Sequence, residues 1–392
     1  MIDMSKLLYR EDAFCEKWAT EIDDTYKKDG LYFVSLKETA FYPGGGGQPA
    51  DSGTIGDLEV KAVESKDGVP YYGLETSIKG RVECRIDWDH RFDLMQQHTG
   101  QHLLSAAFRL VLDRQTIGFH LGQEAVTIDL PGGKLTEAEL QLTEQKVNEL
   151  IYDNRMISSY YVTAAQLAEL PVVKQPSVTE DVRIVEIDGV EYNPCGGTHV
   201  SSTGQIGLIK IIKTEKQKQG QRIYFQCGKR ALETTSNMFS IVEKAADQFQ
   251  TNSQEVLDRI QKQTADLQAA LKRAEELEGR LEALELQELI QTETPIVVRS
   301  YKGKNIKALQ RMAAKLVEAD KKFVILTDTA ERKLVMTHKL NDFHSGNLFR
   351  TSLSEFGGKG GGSAQLAQAS FQQIKDLERY VQFLQDHYRS IV

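Results

Sequence analysis

The stretch that most constrains this chain is residues 89–112, Asp-His-Arg-Phe-Asp-Leu-Met-Gln-Gln-His-Thr-Gly-Gln-His-Leu-Leu-Ser-Ala-Ala-Phe-Arg-Leu-Val-Leu, where His98 and His102 stand four apart. Leu94, Met95, Leu103, Ala106, Ala107, Leu110 and Val111 recur at three- and four-residue spacing, which predicts a helix capped by Asp89 or Asp93. On a helix, side chains at i and i+4 lie above one another, so the two imidazoles can converge on one metal ion. Two ligands do not complete a site. The sequence Asn193-Pro194-Cys195-Gly196-Gly197-Thr198-His199 offers a second pair at the same spacing, Cys195 and His199, on a glycine-rich turn. Three imidazoles and a thiolate suit zinc, which takes nitrogen and sulfur ligands tetrahedrally, and one ion per chain is expected. Two histidines on an amphipathic helix are by themselves more often structural, and it is the second pair that favours metal. An H-E-x-x-H protease helix is excluded, because Thr99 stands where that motif needs a glutamate base.

Residues 97–102, Gln-His-Thr-Gly-Gln-His, together with Cys195-Gly196-Gly197-Thr198-His199, resemble the editing domain of alanyl-tRNA synthetases and their free-standing AlaX-type relatives in the long form. Two glycine-rich stretches agree in the family's order, Phe-Tyr-Pro-Gly-Gly-Gly-Gly-Gln-Pro at 41–49 and Phe-Gly-Gly-Lys-Gly-Gly-Gly-Ser-Ala-Gln at 356–365. The resemblance implies a trans-editing deacylase that hydrolyses Ser-tRNA(Ala), Gly-tRNA(Ala) or both and spares Ala-tRNA(Ala). It implies His98, His102, Cys195 and His199 as zinc ligands and Thr99, Gln101, Thr116 and His120 as catalytic or pocket residues. Gly44, Gly45, Gly46, Gly47 and Gln48 are expected to seat the acceptor end. About 40 residues precede the first glycine run, with no room for an ATP-dependent charging domain, so editing without charging is expected.

At 392 residues the chain has length for two or three domains. It has no long apolar run and no apolar leader, so a cytoplasmic place is expected. Its four cysteines are widely spaced and do not read as a disulfide framework. The net charge of −8 argues against indiscriminate coating of nucleic acid. Within it, residues 208–230 carry Lys210, Lys213, Lys216, Lys218, Arg222, Lys229 and Arg230 against Glu215 alone, and residues 295–317 carry six cations and no acid. Such patches fit a polyanion held at defined places. Lys210, Lys213 and Arg222 of the first patch, and Lys359 inside the second glycine run, are candidate tRNA contacts.

The overall class is α+β. Residues 1–88 alternate apolar and polar in runs such as 31–36, 58–63 and 81–86, which suggests a small β-barrel with a glycine-rich loop. Residues 89–230 form the zinc-containing editing domain, with strands expected near 125–130, 183–187, 206–212 and 222–227 and a helix over 135–154 capped by Thr136. Residues 231–293 read as a helical, coiled-coil-like linker, with Leu257, Ile260, Leu267, Leu271, Leu277, Leu281 and Leu284 at seam spacing and a homodimer as one use of it. Residues 294–392 form a small α/β domain with helices near 305–318 and 365–390. There, Gly357–Gly362 is expected as a flexible anion-binding loop before the last helix.

Four protein ligands close a tetrahedral zinc, whereas zinc that activates water keeps a position open. Either one ligand exchanges, or the metal becomes five-coordinate, or it organises the pocket while side chains hold the water. Two rivals remain: a zinc hydrolase of another acyl ester, and a non-catalytic tRNA-binding protein with a structural zinc.

Overall fold

The computed structural model describes residues 5–173 and 181–391, which fall into two compact units, Met1–Ser253 and Gln254–Val392. Alternation builds the first sheet. In Arg81–Ile86, Val82, Cys84 and Ile86 are buried while Arg81, Glu83 and Arg85 are exposed, so one face enters the core. Seven strands pair in the order Leu58–Glu59, Gly53–Ile55, Arg81–Ile86, Lys17–Lys28, Leu31–Leu36, Val69–Leu74, Ala62–Lys66. The run read as one strand at 58–63 is thus split between the two edges, which are joined by Val60 and Lys61 but not paired with each other.

The histidine helix spans Trp88–Leu112, and its N-cap is Asp87, whose carboxylate accepts from the His90 amide. Asp89 and Asp93, expected as caps, lie inside it. Asp93 instead pairs with Arg230. The helix is buried all round from Leu94 to Phe108. Leu103, Leu104, Ala107 and Phe108 pack with Ile128, Val147, Leu150, Ile223 and Phe225 in one core. Those partners come from a four-stranded sheet, Gly118–Leu121, Val126–Pro131, Gly220–Cys227, Ile209–Gln217, and from the helix Glu137–Tyr152, which carries the Thr136–Glu139 capping box. Gly100 admits the close approach: a Cβ there would strike the Cys227 sulfur. A three-stranded antiparallel sheet, Ile157–Val162, Val182–Ile187, Glu191–Pro194, leads into Cys195.

The second unit begins with the 36-residue helix Val256–Gln291. Its sheet runs Ile296–Tyr301, Phe323–Asp328, Lys333–His338, Leu366–Phe371, Gly358–Gly362, with the first pair parallel and the rest antiparallel. Alternation in Phe323–Asp328 serves two cores. Val324 and Leu326 meet Leu309, Met312 and Leu316 of Ile306–Glu318, and Phe323 and Ile325 meet Leu377, Tyr380 and Leu384 of Ile374–Ile391. The unit is therefore a helix–sheet–helix sandwich. Two expectations fail here. Residues 366–371 form a strand, not the start of the last helix, because Ala367, Ala369 and Phe371 alternate inward. Residues 358–362 form the edge strand paired with it, not a loop at a helix N-terminus. The helical span at 231–293 is two helices, Gly228–Gln248 and Val256–Gln291, one in each unit. Among the described residues no helix is long and apolar enough to cross a membrane.

Candidate metal centre

A buried helix of polar residues must find a partner for each one, because an unpaired buried polar group costs about 1–3 kcal/mol. Gln96 donates to the Gln205 carbonyl at 2.8 Å. Gln97 donates to the Cys227 carbonyl and accepts from its amide, both at 2.9 Å. The histidines are the exception, since each spends one ring nitrogen on the protein and keeps the other.

His98 Nδ1 lies 2.8 Å from Gln48 Oε1, which also accepts from the Thr198 amide at 3.1 Å, while Gln48 Nε2 donates to Thr198 Oγ1 at 2.8 Å. With Gln48 Oε1 as acceptor, the proton is on Nδ1 and Nε2 carries the free lone pair. His199 Nδ1 lies 3.1 Å from Thr99 Oγ1. His102 Nδ1 lies 2.7 Å from the Asn193 amide and 3.8 Å from Glu191, whose other oxygen accepts from Arg109 at 2.9 Å. His102 Nε2 is buried with no hydrogen-bond partner.

These free nitrogens converge. Cys195 Sγ lies 3.5 Å from His98 Nε2 and 3.2 Å from His199 Nε2, and one ligand atom from each of the four side chains falls within 4.8 Å of the others. Burial holds His98 and His199 well below the ordinary imidazole range and lowers His102 to about 4, so all three are neutral. Burial raises the Cys195 thiol, opposed by the Gly197 amide and the Arg183 guanidinium. Arg183 also ties the loop down by donating to the Cys195 and Gly197 carbonyls at 2.8 and 2.9 Å. The donor set and the orphaned His102 nitrogen fit a zinc-like ion.

The glycine loop is fixed to the helix from beneath. Arg91, with no exposed side-chain surface, pairs with Asp51 through two nitrogens and donates to the Ala13 and Ala40 carbonyls at 2.8 and 2.6 Å. Asp51 in turn accepts from the Tyr42 amide. One buried ion pair thus joins the histidine helix to the loop that carries Gln48, and breaking such a pair costs about 3–5 kcal/mol.

A cleft of about 390 Å³ opens over His98, His102 and Cys195, walled by Tyr9, Arg10, Tyr42, Gly44–Gly46 and Phe119. Gln48 is buried beneath it, as the orienting partner of a histidine. Of the expected pocket residues, Thr99 holds His199 and the Val200 amide. Gln101 and Thr116 both donate to Ser105 Oγ, at 3.0 and 2.8 Å, and Gln101 Oε1 has no partner. His120 is exposed and absent from the cleft wall, and its strand neighbour Phe119 takes that place. The candidate tRNA contacts Lys210, Lys213 and Arg222 are paired with Glu144, Glu215 and Asp129, at 2.6, 2.5 and 2.7 Å. Lys359 stands exposed on the glycine edge strand.

Residues 182–224 match the Threonyl and Alanyl tRNA synthetase second additional domain, and residues 293–390 match the DHHA1 domain. The chain is 29% identical over 382 residues to the alanyl-tRNA editing protein AlaX-L of Pyrococcus horikoshii, covering 93% of this chain and 94% of that one. It is 28% identical to the alanine–tRNA ligase of Methanobrevibacter smithii, over 93% of this chain and 44% of the ligase. To the alanyl-tRNA editing protein Aarsd1 of Mus musculus it is 35% identical, over 53% of this chain and 52% of the relative. Matched along almost its whole length by an alanyl-tRNA editing protein, the chain is similar to the AlaX-type alanyl-tRNA editing proteins.

Proposed function

We propose that the chain is a trans-editing deacylase that hydrolyses Ser-tRNA(Ala), Gly-tRNA(Ala) or both and spares Ala-tRNA(Ala). The observation that carries this reading is the convergence of His98, His102, Cys195 and His199 on one point in the floor of a cleft. One zinc per chain, held by these four, would supply Lewis-acid polarisation of the ester carbonyl or orient the substrate. The chain's own residues do the rest. Gln48, Thr99 and Asn193 hold the three imidazoles in place, and the cleft wall shields the ester from bulk water.

Serine differs from alanine by one hydroxyl. A site built to hydrogen-bond that group can reject the analogue lacking it by about 10⁴–10⁵. Thr99 Oγ1 is engaged by His199 and the Val200 amide, Thr116 spends its proton on Ser105, and Gln101 Oε1 is a buried acceptor with no partner. We assign it to the seryl hydroxyl, with Ser105 and Thr116 fixing its amide. Glycine enters as the smaller side chain.

The division into 1–88, 89–230, 231–293 and 294–392 belongs to the same proposal, as does a cytoplasmic place beside charged tRNA. Lys359 is the tRNA contact with the most open setting, since Lys210, Lys213 and Arg222 already face carboxylates. Leu257, Leu267, Leu271, Leu277, Leu281 and Leu284 stay more than half exposed along Val256–Gln291, in keeping with a homodimer seam.

A second reading draws on the ligand count, because four protein ligands close a tetrahedral zinc: a tRNA-binding protein with a structural metal. Deacylation of Ser-, Gly- and Ala-tRNA(Ala), before and after metal stripping and with His98→Ala, separates the two. Selective loss of the Ser and Gly esters, restored by zinc, with the His98→Ala protein folded but inert, supports editing. No turnover by folded, zinc-loaded protein removes it.

A further inference from the structure

We propose that the mouth of the metal cleft seats the terminal nucleotide of the substrate, with Arg10 taking its phosphodiester and Phe119 its base. The identity of that nucleotide rests on the editing reading, whereas the subsite rests on the cleft itself. The chain carries 56 acidic residues against 48 Lys and Arg, yet among the described residues lining the cleft there is no Asp or Glu, and Arg10 is the one Lys or Arg. Among the described residues Arg10 forms no ion pair with a carboxylate; burial opposes its charge, and the hydroxyls of Tyr9 and Tyr161 beside it outweigh that and raise its pKa. An arginine at a cleft mouth without an acid is a ready partner for an anion from outside.

Arg10 is also held in position. It ends the short turn Leu8–Arg10, which follows the parallel pairing of Lys6–Leu7 with Glu38–Thr39. Tyr9, 4% exposed, packs edge-on against Tyr42 at 5.3 Å, and Tyr42 donates to the Gly45 carbonyl at 2.8 Å. Arg10 is thereby indexed to the glycine loop. Across the cleft, Phe119 is 38% exposed, and its ring lies at 29° to that of His98 with centroids 6.0 Å apart. Gly47 makes room for it, since a Cβ there would lie 2.6 Å from the ring.

The chemistry of the substrate class says which anion this is. In an aminoacyl ester the amino acid's carboxyl is consumed in the bond and its amine is cationic, so phosphodiesters are the anions that accompany it. The phosphodiester nearest the ester is that of the terminal nucleotide, and an exposed ring beside the metal is where its base stacks.

The test measures binding of the trinucleotide CCA to the zinc-loaded full-length protein. It is set beside the same trinucleotide with its last phosphodiester replaced by an uncharged methylphosphonate. Wild type should prefer the charged form by about tenfold, Arg10→Gln should bind both alike, and Arg10→Lys should regain part of the preference. Phe119→Ala should weaken both about tenfold and leave their ratio unchanged. Failure of CCA to bind, or a preference in Arg10→Gln equal to that of wild type, overturns the proposal. If wild type shows the preference but does not hydrolyse Ser-tRNA(Ala), the editing reading falls and the nucleotide subsite stands. Hydrolysis without the preference gives the converse.

Discussion

Two glycine runs in this chain look alike in sequence and do different work. Gly44, Gly45, Gly46 and Gly47 take φ of +85°, +135°, +55° and +90°, a path that side chains with a Cβ follow only under strain. In the second run only Gly357 has positive φ, and Gly358–Gly362 lies extended at a sheet edge. There glycine is required by neighbours: a Cβ on Gly360 would strike the Gln368 carbonyl, and one on Gly362 the Leu366 carbonyl. The first run shapes a turn that delivers Gln48 to a metal ligand. The second lets strands and a helix approach closely. A glycine run therefore reports that side chains are unwelcome, and only the surroundings say whether the backbone angle or the space is the cause.

Substitutions can pull the two runs apart. The largest effect should come at the centre the first run serves: Cys195→Ala should lower zinc from about one ion per chain to near zero by elemental analysis and abolish deacylation. Next is Gln48→Leu, which removes the acceptor for His98 Nδ1. Zinc affinity should fall about 10–100-fold in a chelator competition, with the fold retained by circular dichroism. Gly47→Ala meets both a positive φ and the Phe119 ring, and should cost about 1–3 kcal/mol in denaturant unfolding and also slow turnover. Gly360→Ala should cost a similar about 1–3 kcal/mol, but in the second unit alone, leaving zinc content unchanged. A drop in zinc affinity in that variant would break the comparison. Gly361→Ala, with open space where its Cβ would go, should shift stability by less than about 0.5 kcal/mol.

Much of the site was legible because its chemistry is local. His98 with His102 and Cys195 with His199 are each four apart, and the structure joins the two pairs. The strand Arg81–Ile86 was legible for the same reason, since period-two burial leaves its mark within six residues. What sequence missed is non-local. Nothing near Gln48 says that its amide oxygen will hold His98, so it was read only as an acceptor-end contact. Nothing near Glu191, Asn193 or Arg109 says that they will line up behind His102. The buried Arg91–Asp51 pair, forty residues apart, left no pattern either. Some misses were short in range. Phe119, not His120, faces the cleft, a one-residue choice that in a strand decides the side of the sheet. Gln and Ala are good helix formers, yet in residues 366–371, expected as the start of the last helix, inward alternation prevailed.

The polar face of the histidine helix also carries a consequence for biosynthesis. Its partners Asn193, His199, Val200, Gln205 and Cys227 all lie about a hundred residues or more downstream. At ribosomal speeds of roughly 5–20 residues per second, the helix waits about 5–20 s after emerging before its partners exist. During that interval Gln96, Thr99 and His102 lack the partners they have in the fold, although Gln48 for His98 and Asp93 for Gln97 are already made, so the helix cannot dry its inner face. Metal offered early finds two imidazoles and no thiolate. The arrival of the Cys195–His199 loop therefore does two things at once: it completes the ligand set, and it closes the last wet seam of the core.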